Sequence, residues 1–292
     1  MREPRWPPIP PFDPPPARTV IVPERGEMFL RDTGLAGRGA PDDPVVMLLH
    51  GWMASADLNW GGAFRDLASA GYRVLAIDHR GHGRGLRPLG RFRLADCAAD
   101  AASVLRQLDV APAIVVGYSM GGAIAQLVAR DHPDVVSGLV LSGTAQHWQD
   151  RETRRAWKLM GVLGFTLSLA PRASWRMGFK RVGIPENERT AWLQSEMQRH
   201  SPSDLAEAGR ELGRFDSRPW LHRLTTPTAD VITTRDDAVP VHKQRELAAA
   251  ASAQVFESPI RHLEIVTRAG VYNPALLAAL ESVAGRDRAQ VA

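Results

Sequence analysis

From Arg18 onward the apolar residues fall into short runs punctuated by glycine, proline and aspartate. "RTVIV" and "MFLRDTG" predict two edge strands around the turn "PERG". "DPVVMLLHG" and "YRVLAIDHRGHG" are near-continuous apolar runs that end in glycine-rich turns, the pattern of strands buried on both faces. "AIVVG" and "VSGLVLSG" read the same way. Helices are predicted between them: residues 60–70 closed by Gly71, "LADCAADAASVLRQLDV", and "MGGAIAQLVARDHP" stopped by Pro133. Strand and helix alternate, which predicts a mostly parallel, eight-stranded sheet with helices on both faces.

The rhythm breaks at residue 146. Residues 146–222 hold no convincing strand, only helical stretches rich in Trp, Met, Leu and Arg such as "RRAWKLMGVLGFTLSLAPRASWRMGF". The sheet resumes with "TADVITT", followed by a helix through "VHKQRELAAAAS", the short strand "AQVFES", the loop "PIRHLE" and a last helix from Pro274. At the other end, residues 1–18 carry eight prolines and cannot build a core alone; they predict a flexible arm or a strap lying on the domain. The expected division is therefore an arm (1–17), an α/β core in two parts (18–145 and 223–292) and a helical insertion (146–222).

Composition narrows the class. The 292 residues carry 36 Lys and Arg against 32 Asp and Glu, a net charge of +4, but the bases are scattered among acids rather than gathered in a phosphate-tracking run. Nucleic acid is not an expected partner. The single cysteine, Cys97, excludes an internal disulfide and a multi-cysteine zinc site, and reads as a small core residue. No apolar stretch near the N-terminus resembles a signal peptide, and the run Leu159–Ala170 is too short to span a bilayer. A soluble cytoplasmic protein is expected.

The chemistry centres on "VVGYSMGG", residues 115–122. It has the form G-x-S-x-G and joins a strand to a helix. That context puts Ser119 on a sharp turn at the carboxyl end of the sheet. Gly117 and Gly121 are needed there because strand and helix approach too closely for side chains. A serine hydroxyl needs a base, and the base needs an orienting acid. Of nine histidines, His262 alone lies in a loop after the final short strand, which returns it to the sheet edge beside Ser119. The acid is expected past the penultimate strand in "RDDAVP", at Asp236, with Asp237 as a water-facing neighbour and Asp150 a distant third. Two backbone amides should face the developing oxyanion: Met120, after the nucleophile, and Trp52, whose indole is left free to line the pocket. His50 is expected to brace that loop. Asp78–Gly85 reads as a structural turn, because "RGHGRG" lacks the spacing of a phosphate loop. No metal or cofactor is expected.

The pieces "LLHGW", "DHRGHGRG", "GYSMGG", "RDDAVP" and "RHLE", in this order, resemble the α/β-hydrolase superfamily over about residues 18–286. The resemblance implies the α/β-hydrolase fold, a Ser119–His262–Asp236 triad, oxyanion amides at Trp52 and Met120, and a cap at 146–222. Two positions depart from the family pattern: Arg261 stands before the base where many members have glycine, and Thr233 stands at the strand-end glycine before the acid.

The implied function is hydrolysis of carboxylic esters through an acyl-enzyme, on a small-molecule substrate with an apolar or medium-chain acyl group. The aromatic and Met side chains of the insertion would line its pocket or else pack the cap helices together. Ser119 argues against the aspartate-dependent dehalogenases and epoxide hydrolases of the same superfamily. Thioesterase, lactonase, C–C hydrolase, acyltransferase and perhydrolase activities use the same triad. A receptor-like binder with little turnover is the rival from another class, and transient contact of the cap with a lipid or membrane surface is a third reading.

Overall fold

The computed structural model of the chain describes residues 7–36, 43–150, 153, 157–181 and 183–285. Parts of the predicted arm, of the first helical stretch of the insertion and of the C-terminal end lie outside these residues. Eight strands form one sheet: β1 (Ala17–Val22), β2 (Gly26–Asp32), β3 (Val45–Leu49), β4 (Arg73–Ile77), β5 (Ala113–Tyr118), β6 (Val136–Ser142), β7 (Thr228–Thr233) and β8 (Gln254–Ser258). Their order is β1-β2-β4-β3-β5-β6-β7-β8, parallel from β4 to β8. β2 is antiparallel to both β1 and β4, so only β1 is an edge strand at that end and the expected pair of edge strands is corrected to one.

The central strands are buried along nearly their whole length. All six residues of β5 are covered, as are Val46–Leu49 of β3. Each such Val, Leu or Ile contributes about 1.5–3 kcal/mol by leaving water. One face carries α3 (Leu94–Gln107), which buries Leu94, Cys97, Ala98, Ala101, Ala102, Val104 and Leu105 at helical spacing. α4 (Met120–Asp131) follows β5 directly on the same face. The other face carries three helices. The helix expected over 60–70 is two short ones, α1 (Ala56–Trp60) and α2 (Phe64–Ser69), parted by Gly61 and Gly62. The last helix, α10 (Ala269–Ala284), starts five residues before Pro274. Pro274 is the sixth residue of that helix, past its free N-terminal amides, so the helix runs through it at the loss of one hydrogen bond, to the Gly270 carbonyl. α9 (Val241–Ala250) links β7 to β8.

Between β6 and β7 the described residues form four helices: α5 (Met160–Leu169), α6 (Pro171–Arg181), α7 (Glu188–Met197) and α8 (Pro202–Arg214). They are tied to the loops at the carboxyl ends of the strands by polar contacts. Buried Glu196 of α7 accepts from Arg84 (2.9 and 3.2 Å) and from the Ser55 hydroxyl (3.2 Å). The Ser201 amide donates to the Gly81 carbonyl (2.8 Å). The proline-rich segment is a strap in the described part: Phe12 packs edge-on against Trp192 of α7 (5.5 Å) and near Phe64 of α2 (6.4 Å), while Arg31 donates to the Pro15 carbonyl. Trp148, Met160, Phe179, Trp192, Met197 and Phe215 of this block are buried.

Candidate active site

β5 runs straight into α4, and Ser119 at the junction has φ 54° and ψ −117°. A non-glycine residue in that region is strained and is held there only by close packing around it. The packing is visible at the glycines. A Cβ at Gly117 would collide with the Gly121 carbonyl, and one at Gly121 with the Leu49 carbonyl of β3. A side chain at either position would therefore push the helix off the sheet.

Ser119, His262 and Asp236 come together from three separate loops. His262 Nε2 lies 2.9 Å from Ser119 Oγ, and its Nδ1 lies 2.8 Å from Asp236 Oδ2. An ionised carboxylate only accepts, so Nδ1 carries the proton and Nε2 is left to accept from the serine hydroxyl. Asp236 is filled on both oxygens. Oδ1 accepts the amides of Ala238 (2.8 Å) and Val239 (2.7 Å), and Oδ2 accepts the Thr233 hydroxyl (2.6 Å) besides the imidazole. Burial alone would raise this carboxyl, but the hydrogen bonds and charge of His262 with the Thr233 and Val239 donors outweigh it, and its pKa is held below 3.8. Asp237 is exposed, and Asp150 pairs with Lys243 away from the imidazole.

Three supporting residues escaped the sequence reading. Thr233 puts its hydroxyl on Asp236; Gln244 of α9 fixes Thr233 by accepting its amide (2.9 Å) and donating to its hydroxyl (3.0 Å). The Tyr118 hydroxyl donates to the His262 carbonyl (2.6 Å), which pins the loop carrying His262. The departure at Thr233 was the available signal for the first; nothing in the sequence marks the other two.

The expected oxyanion amides sit beside Ser119. Met120 is the first residue of α4, where no intrahelical acceptor exists. Trp52 follows Gly51, which packs against the Ser119 side chain and donates its own amide to Asn59 Oδ1 (2.9 Å). Neither the Met120 nor the Trp52 amide has an acceptor among the described residues. The Trp52 indole is not free, as the sequence suggested. It donates to the Leu205 carbonyl of α8 (2.9 Å) and packs edge-on against Trp157 (5.7 Å), so it fastens the helical block above the loop.

Behind that loop lies a buried cluster of four histidines. His50 braces it, donating from Nδ1 to the Gly51 carbonyl (2.8 Å) and accepting the His79 amide at Nε2 (3.0 Å). His79 and His82 pack against His50, and His200, from the α7–α8 connection, packs on His82. Asp78 accepts the amides of Ala56 and Arg84 (2.7 Å each), which holds the 78–85 turn. Among the described residues no group of three or more His, Cys, Asp or Glu is placed to hold a metal ion.

Burial and the charge of neighbours push His79 and His200 down to about 3, and His50 and His82 also fall well below 6.5. Below pH 6.5 the unfolded chain therefore binds protons that the folded cluster refuses, and stability drops as pH falls. At pH 5 this costs about 2 kcal/mol each for His79 and His200. Asp78, raised to about 6 by burial, acts in the opposite direction by about 1 kcal/mol. In denaturant titrations, His200→Asn, whose side-chain oxygen can still accept the Gly83 amide, is expected to lose about 2 kcal/mol less than wild type between pH 7 and pH 5. Equal losses in the two proteins would show that the cluster does not resist protonation.

Comparison with known proteins agrees with this architecture. A family model described as alpha/beta hydrolase fold matches residues 44–178. A non-heme chloroperoxidase of Streptomyces lividans is 31% identical over 284 residues, covering 90% of this chain and 99% of that one. A bifunctional esterase/perhydrolase of Acinetobacter calcoaceticus is 38% identical over 104 residues, covering 35% and 37% of the two chains. Among solved structures, a bromoperoxidase from Bacillus anthracis superposes with a TM-score of 0.76 at 22% identity, covering 91% of this chain and 100% of that one. With eight strands in this order, a serine at the β5–α4 turn and a full-length relative above 30% identity, the chain belongs to the α/β-hydrolase superfamily.

Proposed function

We propose that this protein is a serine hydrolase of carboxylic esters, with Ser119 as nucleophile, His262 as general base and acid, and Asp236 as the residue that orients and stabilises the imidazole. The observation that carries this reading is the 2.9 Å approach of His262 Nε2 to Ser119 Oγ, with Nδ1 held by the ionised Asp236. In the first half-reaction Ser119 Oγ attacks the acyl carbon and His262 takes the hydroxyl proton. The oxyanion is met by the amides of Met120 and Trp52. The alkoxide then leaves with the proton from His262. Water, deprotonated by the same nitrogen, releases the acid and regenerates the serine. In this reading the helical block 146–222 is a cap over a small-molecule pocket.

A second reading is favoured by the names of the relatives: hydrogen peroxide in place of water as acceptor, giving a peracid. It needs no further residue, since His262 would deprotonate peroxide as it does water. The experiment is labelling with a fluorophosphonate probe together with turnover of a p-nitrophenyl ester series, with and without hydrogen peroxide. Labelling at Ser119 with rapid ester turnover is expected. Peracid accumulation at the expense of acid selects the second reading. Tight ligand binding with neither labelling nor turnover would leave a binder rather than an enzyme.

A further inference from the structure

The helix α5 is apolar on both sides. Its inner side packs on α8, with Met160 against Gly209 and Gly164 against Ala206. Its outer side presents Val162, Phe165 and Leu169, with Leu159 just before the helix, all more than 60% exposed and within about one third of the helical circumference. No charged side chain lies within α5. The next helix, α6, is tied to it by the Ser174 hydroxyl donating to the Thr166 carbonyl, and adds exposed Met177. A patch of this kind is uncommon on a soluble surface and marks something that covers it.

The charge around the patch says what. Between Glu152 and Glu186 the chain carries seven Lys and Arg and no acid, so the remainder of the protein is net acidic. Lys158, Lys180 and Arg181 are exposed and have no acidic partner among the described residues. A second copy paired two-fold on this face would set those cations against their own images. The combination of an apolar ridge and unpaired cations matches an anionic lipid surface, where the ridge enters the acyl boundary and the cations meet headgroups. At ten residues α5 is about 15 Å long, half the thickness of a bilayer core. That length suits lying on such a surface rather than crossing it; among the described residues no helix is long and apolar enough to cross.

We propose that the α5–α6 hairpin docks the protein on anionic lipid membranes. The docking does not depend on the hydrolase reading, because it uses none of the site residues.

The test is flotation of the full-length protein with vesicles of equimolar phosphatidylglycerol and phosphatidylcholine, against pure phosphatidylcholine. Thermal melts serve as the fold control. Wild type is expected to float with the anionic vesicles and to be released by salt. The double variant Phe165→Ser/Leu169→Ser is expected to bind roughly a hundredfold more weakly, and Lys180→Glu/Arg181→Glu about 25-fold or more. Both should melt as wild type does, since these side chains are exposed. The proposal is overturned if wild type fails to float, or if both variants float as it does. It is equally overturned if sedimentation velocity finds a wild-type dimer that Phe165→Ser/Leu169→Ser converts to monomer. A loss of ester turnover without loss of flotation would bear on the proposed function alone.

Discussion

Replacing Ser119 by alanine is expected to lower kcat on a p-nitrophenyl ester by about 10⁴- to 10⁶-fold, with little change in thermal stability. The hydroxyl is the one atom that forms a covalent bond with substrate in the proposed mechanism, and neighbouring groups cannot replace it. What survives is the contribution of the oxyanion amides and of binding, a small residue over the uncatalysed rate. The side chain makes one hydrogen bond, to His262, whose side chain is 12% exposed, so its removal leaves a single imidazole nitrogen without that partner. Stability is therefore expected to shift by no more than about 1 kcal/mol. Burst kinetics and probe labelling check the result: both should vanish in the variant. A loss smaller than about tenfold would place the nucleophile elsewhere.

Asp236→Asn is expected to lower kcat by about 10⁴-fold and also to destabilise the fold by about 1–3 kcal/mol. The two effects have one cause. Both carboxylate oxygens accept two donors each, from Ala238, Val239, Thr233 and His262. An asparagine has one acceptor oxygen, so its amide nitrogen must face a pair of N–H groups or the Thr233 hydroxyl with the imidazole. If the nitrogen meets His262, the ring loses the partner that keeps the proton on Nδ1, and Nε2 is no longer reserved for the serine. The pH dependence separates this role from simple packing. The native carboxyl sits below its ordinary value of 3.8, so it adds stability above that value and the contribution is lost as pH falls through the native pKa. Stability measured from pH 5 downwards should therefore fall less steeply in Asp236→Asn than in wild type. Parallel curves, or an unchanged kcat, would remove Asp236 from the mechanism.

The buried sheet was legible because its strands are nearly pure apolar runs and its helices keep an apolar stripe. The turn at Ser119 was legible because only glycine tolerates such close approach, so Gly117 and Gly121 print the geometry into the sequence. Less was visible where an element's limits depend on its neighbours. The helix over 60–70 breaks at Gly61 and Gly62, and α10 begins ahead of Pro274. The Trp and Met residues of the insertion read equally as pocket lining or as packing; four of the eight, Trp148, Met160, Trp192 and Met197, are buried.

The sequence by itself determined the sheet architecture, the serine at a strained strand-to-helix turn, and the chain order serine, acid, histidine. These are properties of local runs and spacings. The tertiary structure alone decided that Gln244 holds Thr233 in place beside Asp236, that the Trp52 indole is tied to α8, and that the apolar outer side of α5 is left uncovered. Each of these depends on which distant side chains arrive within hydrogen-bond or van der Waals range, and directional contacts across more than ten residues leave no periodic trace along a chain.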